Sequence, residues 1–585
     1  MQIPGNELPA TVKEALKACK SVAIVVFIFS TCVNLLMLTV PIYMLQVYDR
    51  VLTTGSMPTL TWLTIICVSA LAVLALMDAT RGLVAQRVSH WFDRVLAKPV
   101  LSTSIQGSAM SHGNGTVQGL RDLSAIRNFI GSPQIFHFFD APFVPFFIAV
   151  IFLIHPLLGS IAIFAAIVIF CLALLNNALT KTPLEEANKA QMRQLNTAET
   201  GVRNAEVIEA MGMLDPLIKR WDADNNEVLD YQQKASTIAG RIGAFTKFFR
   251  LGIQLSMLGF GVYLAVQQQI TPGAMIAGSI ILGRALAPVE QMIGAWKGFI
   301  GYRQAKERLD QMLAASPGGK RGTTEYPEPV GLLTAEGATY MIPGVQKPIL
   351  RQVAFRLEPG TACGLIGPSA SGKTTLARLI VGVLPCSAGK IRLDGVDVFD
   401  WNRADFGRHV GYMPQDVELF PGTVKDNIAR MVEAPDEAVI EAAKAANAHD
   451  LILRLPRGYD TPVGAFGANL SAGQRQRIAL ARAFFGGPKL LILDEPNANL
   501  DGEGEQALME SLSRARDNGT TIVVIAHRPS VLEFVDKLLV LRDGMVEAFD
   551  DKEAVMQKLR GGGGGAAQQP QPTPITAAQN VSAAN

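Results

Sequence analysis

The chain has 585 residues, and 53 Lys+Arg against 51 Asp+Glu leave it at +2, so bulk charge offers no grip on nucleic acid or another polyanion. Hydrophobic residues make up 49% and charged residues only 18%, where ordinary soluble domains carry about a quarter charged. That balance excludes a disordered chain and argues against a wholly soluble one.

A segment over residues 1–20 carries Lys13, Lys17 and Lys20 and precedes the first window free of charge, 21–48. A second such window covers 51–77, a third (141–180) contains only His155, and a fourth covers 251–283. A spanning helix needs about 20 apolar residues. The first two windows therefore hold one span each. The third breaks at His155-Pro156 and Gly159 into two, and the fourth breaks at Gln267–Gln269 and Thr271-Pro272-Gly273 into two more. Six spans follow, in a membrane domain over 21–312. A cleaved signal peptide is disfavoured, because the first run is too long and lacks a small-residue cleavage site. Buried helices of a soluble core are the weaker alternative.

Lys and Arg set the orientation. Arg81, Arg87, Arg94, Lys98, Arg121 and Arg127 lie between spans two and three, ten more lie between spans four and five, and the other turns carry only Arg50. Positive-inside bias puts both termini and both long connections in the cytoplasm. Those connections, about 60 and 70 residues, read as membrane helices that run on into the cytoplasm and return. Their bends fall at 107–119 and at Met211–Met213 with Asp215-Pro216. Arg284 lies about 12 residues into the sixth span, near the midplane. It reads equally as a cation lining the substrate path or, more plainly, as the mark of a shifted span or half of a structural ion pair with a neighbouring helix. Pro288 is expected to kink that helix. His155 is expected to be interfacial.

Pro317-Gly318-Gly319 and Pro327-Glu328-Pro329 mark a linker over 313–331, and a soluble α/β pattern fills 332–558. Residues 559–585 hold five consecutive glycines and read as a disordered tail rich in Gly, Pro and Gln. Six cysteines in so long a chain make no disulfide framework and read as reduced and structural.

Within the α/β part, GPSASGKT from Gly367 to Thr374 follows the apolar run Cys363–Ile366 and precedes TLARLIVGVL. Strand, glycine loop and helix are what a phosphate loop requires. Backbone N–H groups over Gly367, Ser369, Ala370, Ser371, Gly372, Lys373, Thr374 and Thr375 would cradle ATP, with Pro368 in the loop but unable to donate. Lys373 would reach the β/γ-phosphates, and the Thr374 hydroxyl would hold Mg²⁺. The buried strand Leu490–Leu493 then delivers Asp494 to the Mg²⁺ and Glu495 to the attacking water.

Leu470-Ser471-Ala472-Gly473-Gln474 followed by RQRIALARA resembles the signature motif of ATP-binding cassette (ABC) proteins. The resemblance implies that Tyr340 stacks on adenine and that Gln415 touches Mg²⁺. It also implies that Asn499-Leu500-Asp501 cross to a partner and that His527 contacts the γ-phosphate in catalysis. Ser471, Gly473 and Gln474 would complete the nucleotide site of a second copy, so one cassette per chain implies a homodimer. The implied fold is a six-span α-helical ABC exporter domain followed by a phosphate-loop α/β nucleotide-binding domain. ATP-driven closure of the two cassettes would reach the spans through the tips near 107–119 and 205–216. Two positions depart from the pattern: Ala472 stands where glycine is usual, and Ala465 stands where glutamate is common.

PIYMLQVYDRVL (Pro41–Leu52), the stretch Arg121–Phe147, and HPLLG (His155–Gly159) resemble the type I secretion permease/ATPases. They are closest to the exporters of proteases, lipases, glycanases and surface-layer proteins. That resemblance implies a bacterial inner membrane protein that exports an unfolded protein with a C-terminal secretion signal, through a periplasmic adaptor and an outer-membrane channel. With about 20 residues before the first span, Cys19 is not expected to be the nucleophile of an N-terminal peptidase. Export of lipids or small hydrophobic molecules on the same fold is the alternative. A regulatory scaffold that does not pump is disfavoured by Glu495 and His527.

Overall fold

The computed structural model describes residues 11–110, 118–314, 322, 324–342, 344–345, 347–464, 467–526 and 528–561. His527, Ala465 and most of the glycine-rich tail lie outside them, as does the centre of the bend at 107–119. The chain divides into two units, Met1–Ser316 and Pro317–Asn585.

The first unit is helical: α1 Val12–Ala18, α2 Lys20–Leu36, α3 Thr39–Gln46, α4 Leu52–Thr54, α5 Met57–Met110, α6 Gln118–Gly131, α7 Gln134–Asp140, α8 Val144–Ile154, α9 Pro156–Arg203, α10 Ala205–Ala210, α11 Leu214–Val266 and α12 Pro272–Ala314. Six segments are long and apolar enough to span a membrane, at Lys20–Thr54, Met57–Met110, Gln134–Ile154, Pro156–Arg203, Leu214–Val266 and Pro272–Ala314. Four of them far exceed one bilayer. α5 has 54 residues, roughly 80 Å at 1.5 Å per residue, against about 30 Å of hydrocarbon.

The breaks have local causes. His155 is extended at φ −163°, and its Nδ1 accepts the Leu157 N–H at 3.2 Å, capping α9 as α8 ends. A side chain at Gly159 would come within 2.4 Å of the Phe152 ring, so the turn between spans three and four closes only on glycine there. Pro288 sits buried inside α12, which continues through it as helix.

Packing follows the expected change of environment along each helix. Trp62, Ile66, Leu76 and Phe170 are exposed on the apolar stretches, where a bilayer would cover them. Phe147, Ile151, Ile169, Met257 and Leu282 are buried together among spans three to six. Beyond the apolar stretches α9 and α11 run alongside each other through polar contacts: Gln194 donates to Asn225 at 2.8 Å, Thr197 to Asp224 at 3.2 Å, and Arg193 pairs with Glu227.

Two polar links in this unit escape sequence patterning. Arg81 on α5 is 6% exposed and donates to Asp140 at 3.0 Å, and Asn34 on α2 donates to the same carboxylate at 2.9 Å. The Arg81 guanidinium also lies 4.6 Å from the centre of the Phe136 ring. A π-helical turn at Val47–Val51 presents Asp49 to the start of α12: Gly273 N–H donates to it at 2.7 Å, and the Thr271 hydroxyl donates to its other oxygen.

The second unit contains β1 Leu333–Tyr340, β2 Leu350–Leu357, β3 Ala362–Ile366, α13 Lys373–Ile380, β4 Ala388–Leu393, β5 Val396–Asp397, α14 Arg403–His409, β6 Val410–Met413, β7 Gly422–Thr423, α15 Val424–Ile428, α16 Asp436–Ala445, α17 His449–Leu453, β8 Pro462–Val463, α18 Ala472–Phe484, β9 Leu490–Asp494, α19 Gly502–Asp517, β10 Thr521–Ile525, α20 Pro529–Phe534, β11 Lys537–Arg542, β12 Met545–Asp551 and α21 Lys552–Gly561. One sheet has the order β12-β11-β3-β10-β9-β6, a second has β2-β1-β4-β5, and β7 pairs with β8. β3, β9 and β10 are parallel and almost wholly buried, which is why they read as unbroken apolar runs. β3 and β9 therefore end at the same edge of the sheet, on either side of β10.

Candidate functional site

The carboxyl end of β3 turns sharply at Gly367. Its φ is +155°, and a Cβ there would lie 2.1 Å from the Leu541 carbonyl oxygen, so only glycine fits. The loop runs through Ser369 and Ala370, the latter at φ +64°, and enters α13 at Gly372, φ +100°. Lys373 is 8% exposed, and its Nζ donates to the carbonyls of Gly367 and Pro368 at 2.9 and 3.0 Å. It thus folds over its own loop. Burial pulls the Lys373 pKa down, while Glu495 and Asp494 push it up. Ser371 Oγ is buried with no hydrogen-bond partner.

Two strands away, β9 ends in Asp494, 1% exposed, and neither carboxylate oxygen has a hydrogen-bond partner. Burial raises its pKa; the facing Thr374 hydroxyl opposes that, Glu495 adds to it, and Arg378 and Lys373 oppose it. Two orphaned buried oxygens beside a helix-borne hydroxyl suit a hard cation, and Thr374, Gln415 and Asp494 offer the oxygen donors that Mg²⁺ takes. Glu495 follows at φ +51°, its N–H donating to the Ile525 carbonyl at 3.0 Å. The Gln415 amide donates to the Glu495 carboxylate at 3.2 Å. Phosphate loop, Asp494, Glu495 and Gln415 thus meet at one end of the parallel sheet.

Tyr340 is placed differently from an open stacking platform. It ends β1 with 5% exposure, and burial raises its hydroxyl pKa while Arg378 lowers it. To stack on a base it must present more of its ring than this.

Ser471, Gly473 and Gln474 lie at the start of α18. Ser471 caps α18 in a reciprocal box: its Oγ accepts from Gln474 N–H at 3.2 Å, and Gln474 Oε1 accepts from Ser471 N–H at 2.9 Å. Ser471 and Ala472 are exposed. No hydrogen bond joins Ser471 or Gln474 to Gly367–Thr375 among the described residues. A Cβ on Gly473 would lie 3.2 Å from the Asn499 carbonyl, so the helix start and the segment after β9 are in close contact. Gln476, which the motif reading passed over, holds that contact. It is 3% exposed, donates to the Pro496 carbonyl and accepts from the Asn499 N–H at 3.1 Å. A glutamine two residues past the signature was its only trace in the sequence. Arg284 is exposed on α12 and forms no ion pair among the described residues.

Residues 350–498 match the ABC transporter family model, and residues 23–286 match that of the ABC transporter transmembrane region. The type I secretion system ATP-binding protein PrsD of Rhizobium meliloti is 42% identical over 93% of this chain and 93% of its own length. The toxin RTX-I translocation ATP-binding protein of Actinobacillus pleuropneumoniae and the alpha-hemolysin translocation ATP-binding protein HlyB of Proteus vulgaris are each 28% identical. Each match covers 92% of this chain and 76% of that protein. The structure of a bacterial Atm1-family ABC exporter with ATP bound shares the fold. Its TM-score is 0.80 at 21% identity, over 94% of this chain and 99% of that one.

Proposed function

The chain belongs to the type I secretion system ATP-binding proteins of the ABC transporter family, and we propose that two copies of it form the ATP-worked gate of an inner-membrane exporter for unfolded polypeptides. It is a multi-pass membrane protein that binds and hydrolyses ATP to export protein through a type I secretion system. The cargo is an unfolded protein carrying a C-terminal secretion signal. Its way out continues through a periplasmic adaptor and an outer-membrane channel.

The observation that supports the two-copy reading is a signature helix start that is exposed and whose Ser471 bonds only to its own helix among the described residues. Lys373, Asp494 and Glu495 converge at one sheet edge, whereas Ser471 opens α18 exposed and, among the described residues, without a hydrogen bond to that edge. The N-terminus of a 13-residue helix attracts anions. In this reading it meets the γ-phosphate held by the partner's loop. Thr374, Gln415 and Asp494 would hold Mg²⁺, which would neutralise phosphate charge. Glu495 orients and deprotonates the attacking water, Lys373 leaves its own loop carbonyls for the phosphates, and His527 contacts the γ-phosphate. Binding favours closure only through contacts that exist when closed, and the shared γ-phosphate provides them. The Lys and Arg distribution supports a cytoplasmic nucleotide-binding domain.

The test is secretion profiling of a strain lacking the gene, followed by ATPase assays of the protein in liposomes. A secreted protein should vanish from the medium, and a peptide from its C-terminus should stimulate turnover. An unchanged secretome, with stimulation by lipid and not by peptide, would sink the reading in favour of lipid export.

A further inference from the structure

We propose that an acyl chain of an anionic phospholipid occupies an apolar cavity beneath the N-terminal helix. The cavity, of about 330 Å³, lies between α1, α2, α5, α6, α7 and α12 and is lined by Leu16, Cys19, Val22 and Ala23 together with an aromatic wall that includes Phe136, Phe139 and Phe299. Its size falls in the range of small-molecule sites.

The chemistry of the lining selects the occupant. Water needs two to four polar partners and finds almost none here. A polypeptide segment would bring backbone N–H and C=O groups that this wall cannot satisfy. A hydrocarbon chain carries no such groups. The position agrees, because Val22 lies at the start of span one and Phe136 at the start of span three. These residues put one end of the cavity where headgroups meet hydrocarbon, on the side of the long connections, while Val88, Phe92 and Phe299 carry its other end beyond the apolar stretches of α5 and α12.

The rim supplies the charge. Val12 and Ala15 of α1 are buried, while Lys13, Lys17 and Lys20 are exposed and form no ion pair among the described residues. Lys13 stands three residues before Leu16, and helical spacing places it beside that side chain. Lys20 opens α2 four residues after Leu16, whereas helical spacing puts Lys17, three residues after Glu14, beside that carboxylate. Glu14, two residues before Leu16, does not share its face. Unpaired ammonium groups above a dry aromatic cavity complement a phosphate above an acyl chain.

The experiment uses the full-length protein in nanodiscs doped with phosphatidylglycerol or phosphatidylcholine carrying the same photoreactive acyl chain, with adducts mapped by peptide mass spectrometry. Adducts should concentrate on residues 16–26, 135–139 and 299–302, with phosphatidylglycerol the stronger. Changing Lys13 and Lys20 to Gln should weaken that preference by about fivefold per lysine removed, and Lys17→Gln should change it less. Ala23→Phe should abolish the adducts, and Ala23→Ile should reduce them while ATPase activity is kept. Adducts as dense on the exposed face around Trp62 or Phe170, or adducts that survive Ala23→Phe, would overturn the proposal. Equal labelling by the two lipids would overturn the role given to the lysines.

Discussion

Glu495 occupies a left-handed backbone conformation, φ +51°, that costs a non-glycine residue on the order of 1 kcal/mol or more. The strain is sustained because its N–H is held by Ile525 and its carboxylate by Gln415. Removing the charge and keeping the shape should spare this frame. Glu495→Gln is therefore expected to retain ATP affinity while single-turnover hydrolysis falls by roughly 10²–10⁴, leaving ATP occluded. Normal steady-state turnover would remove Glu495 from its role. Lys373→Ala should do the reverse and weaken nucleotide binding, read by equilibrium titration. Arg284 raises a different question, since it is exposed and forms no ion pair among the described residues. A cation at membrane depth is costly unless it faces water or a partner. Arg284→Ala should abolish export with protein level and basal ATPase unchanged; normal secretion would return Arg284 to the lipid or protein surface.

At the level of elements, the clasp between the Val47–Val51 turn and α12 makes a sharp prediction. A Cβ at Gly273 would lie 2.6 Å from both the Asp49 carboxylate and the Leu45 carbonyl oxygen. Backbone cannot move aside as a flexible side chain can. Gly273→Ala should therefore push span six away from span one and lower the melting temperature of the purified protein more than Asp49→Asn. The latter keeps an acceptor for the Gly273 N–H and loses only the one that takes the Thr271 hydroxyl, about 1 kcal/mol. The opposite ranking would mean that charge, not close approach, holds the clasp. This contact also shows where sequence reading ends. Spans, turns and phosphate loop were legible because charge-free windows, His155-Pro156 and GPSASGKT are local. Asp49 meets Gly273 across 224 positions, and Arg81 meets Asp140 across 59. No periodicity encodes such pairs. Tyr340 was named by its place in a motif, but its burial depends on packing in the second sheet. Gln476 has two partners that belong to another element.

The whole molecule is tested by dividing one site between two chains. In the proposed dimer each site takes Lys373 from one copy and Ser471 from the other. A chain carrying Lys373→Ala and a chain carrying Ser471→Arg, each also bearing Glu495→Gln, should both fail to occlude ATP alone. When the two are coexpressed in equal amounts, half the dimers are mixed. Each mixed dimer has one site that combines both lesions and one that carries neither. Occluded ATP should therefore return to about a quarter of the level seen with Glu495→Gln alone, as a symmetric pair with exchanged elements requires. Sites completed within a single chain would give none, because every chain is defective in one half. Ser471→Arg sits at an exposed helix start, so its loss is a cap and not a core contact. Recovery at a quarter, found only when the chains are coexpressed and not when separately purified dimers are mixed, would establish that the gate is built by exchange between two copies.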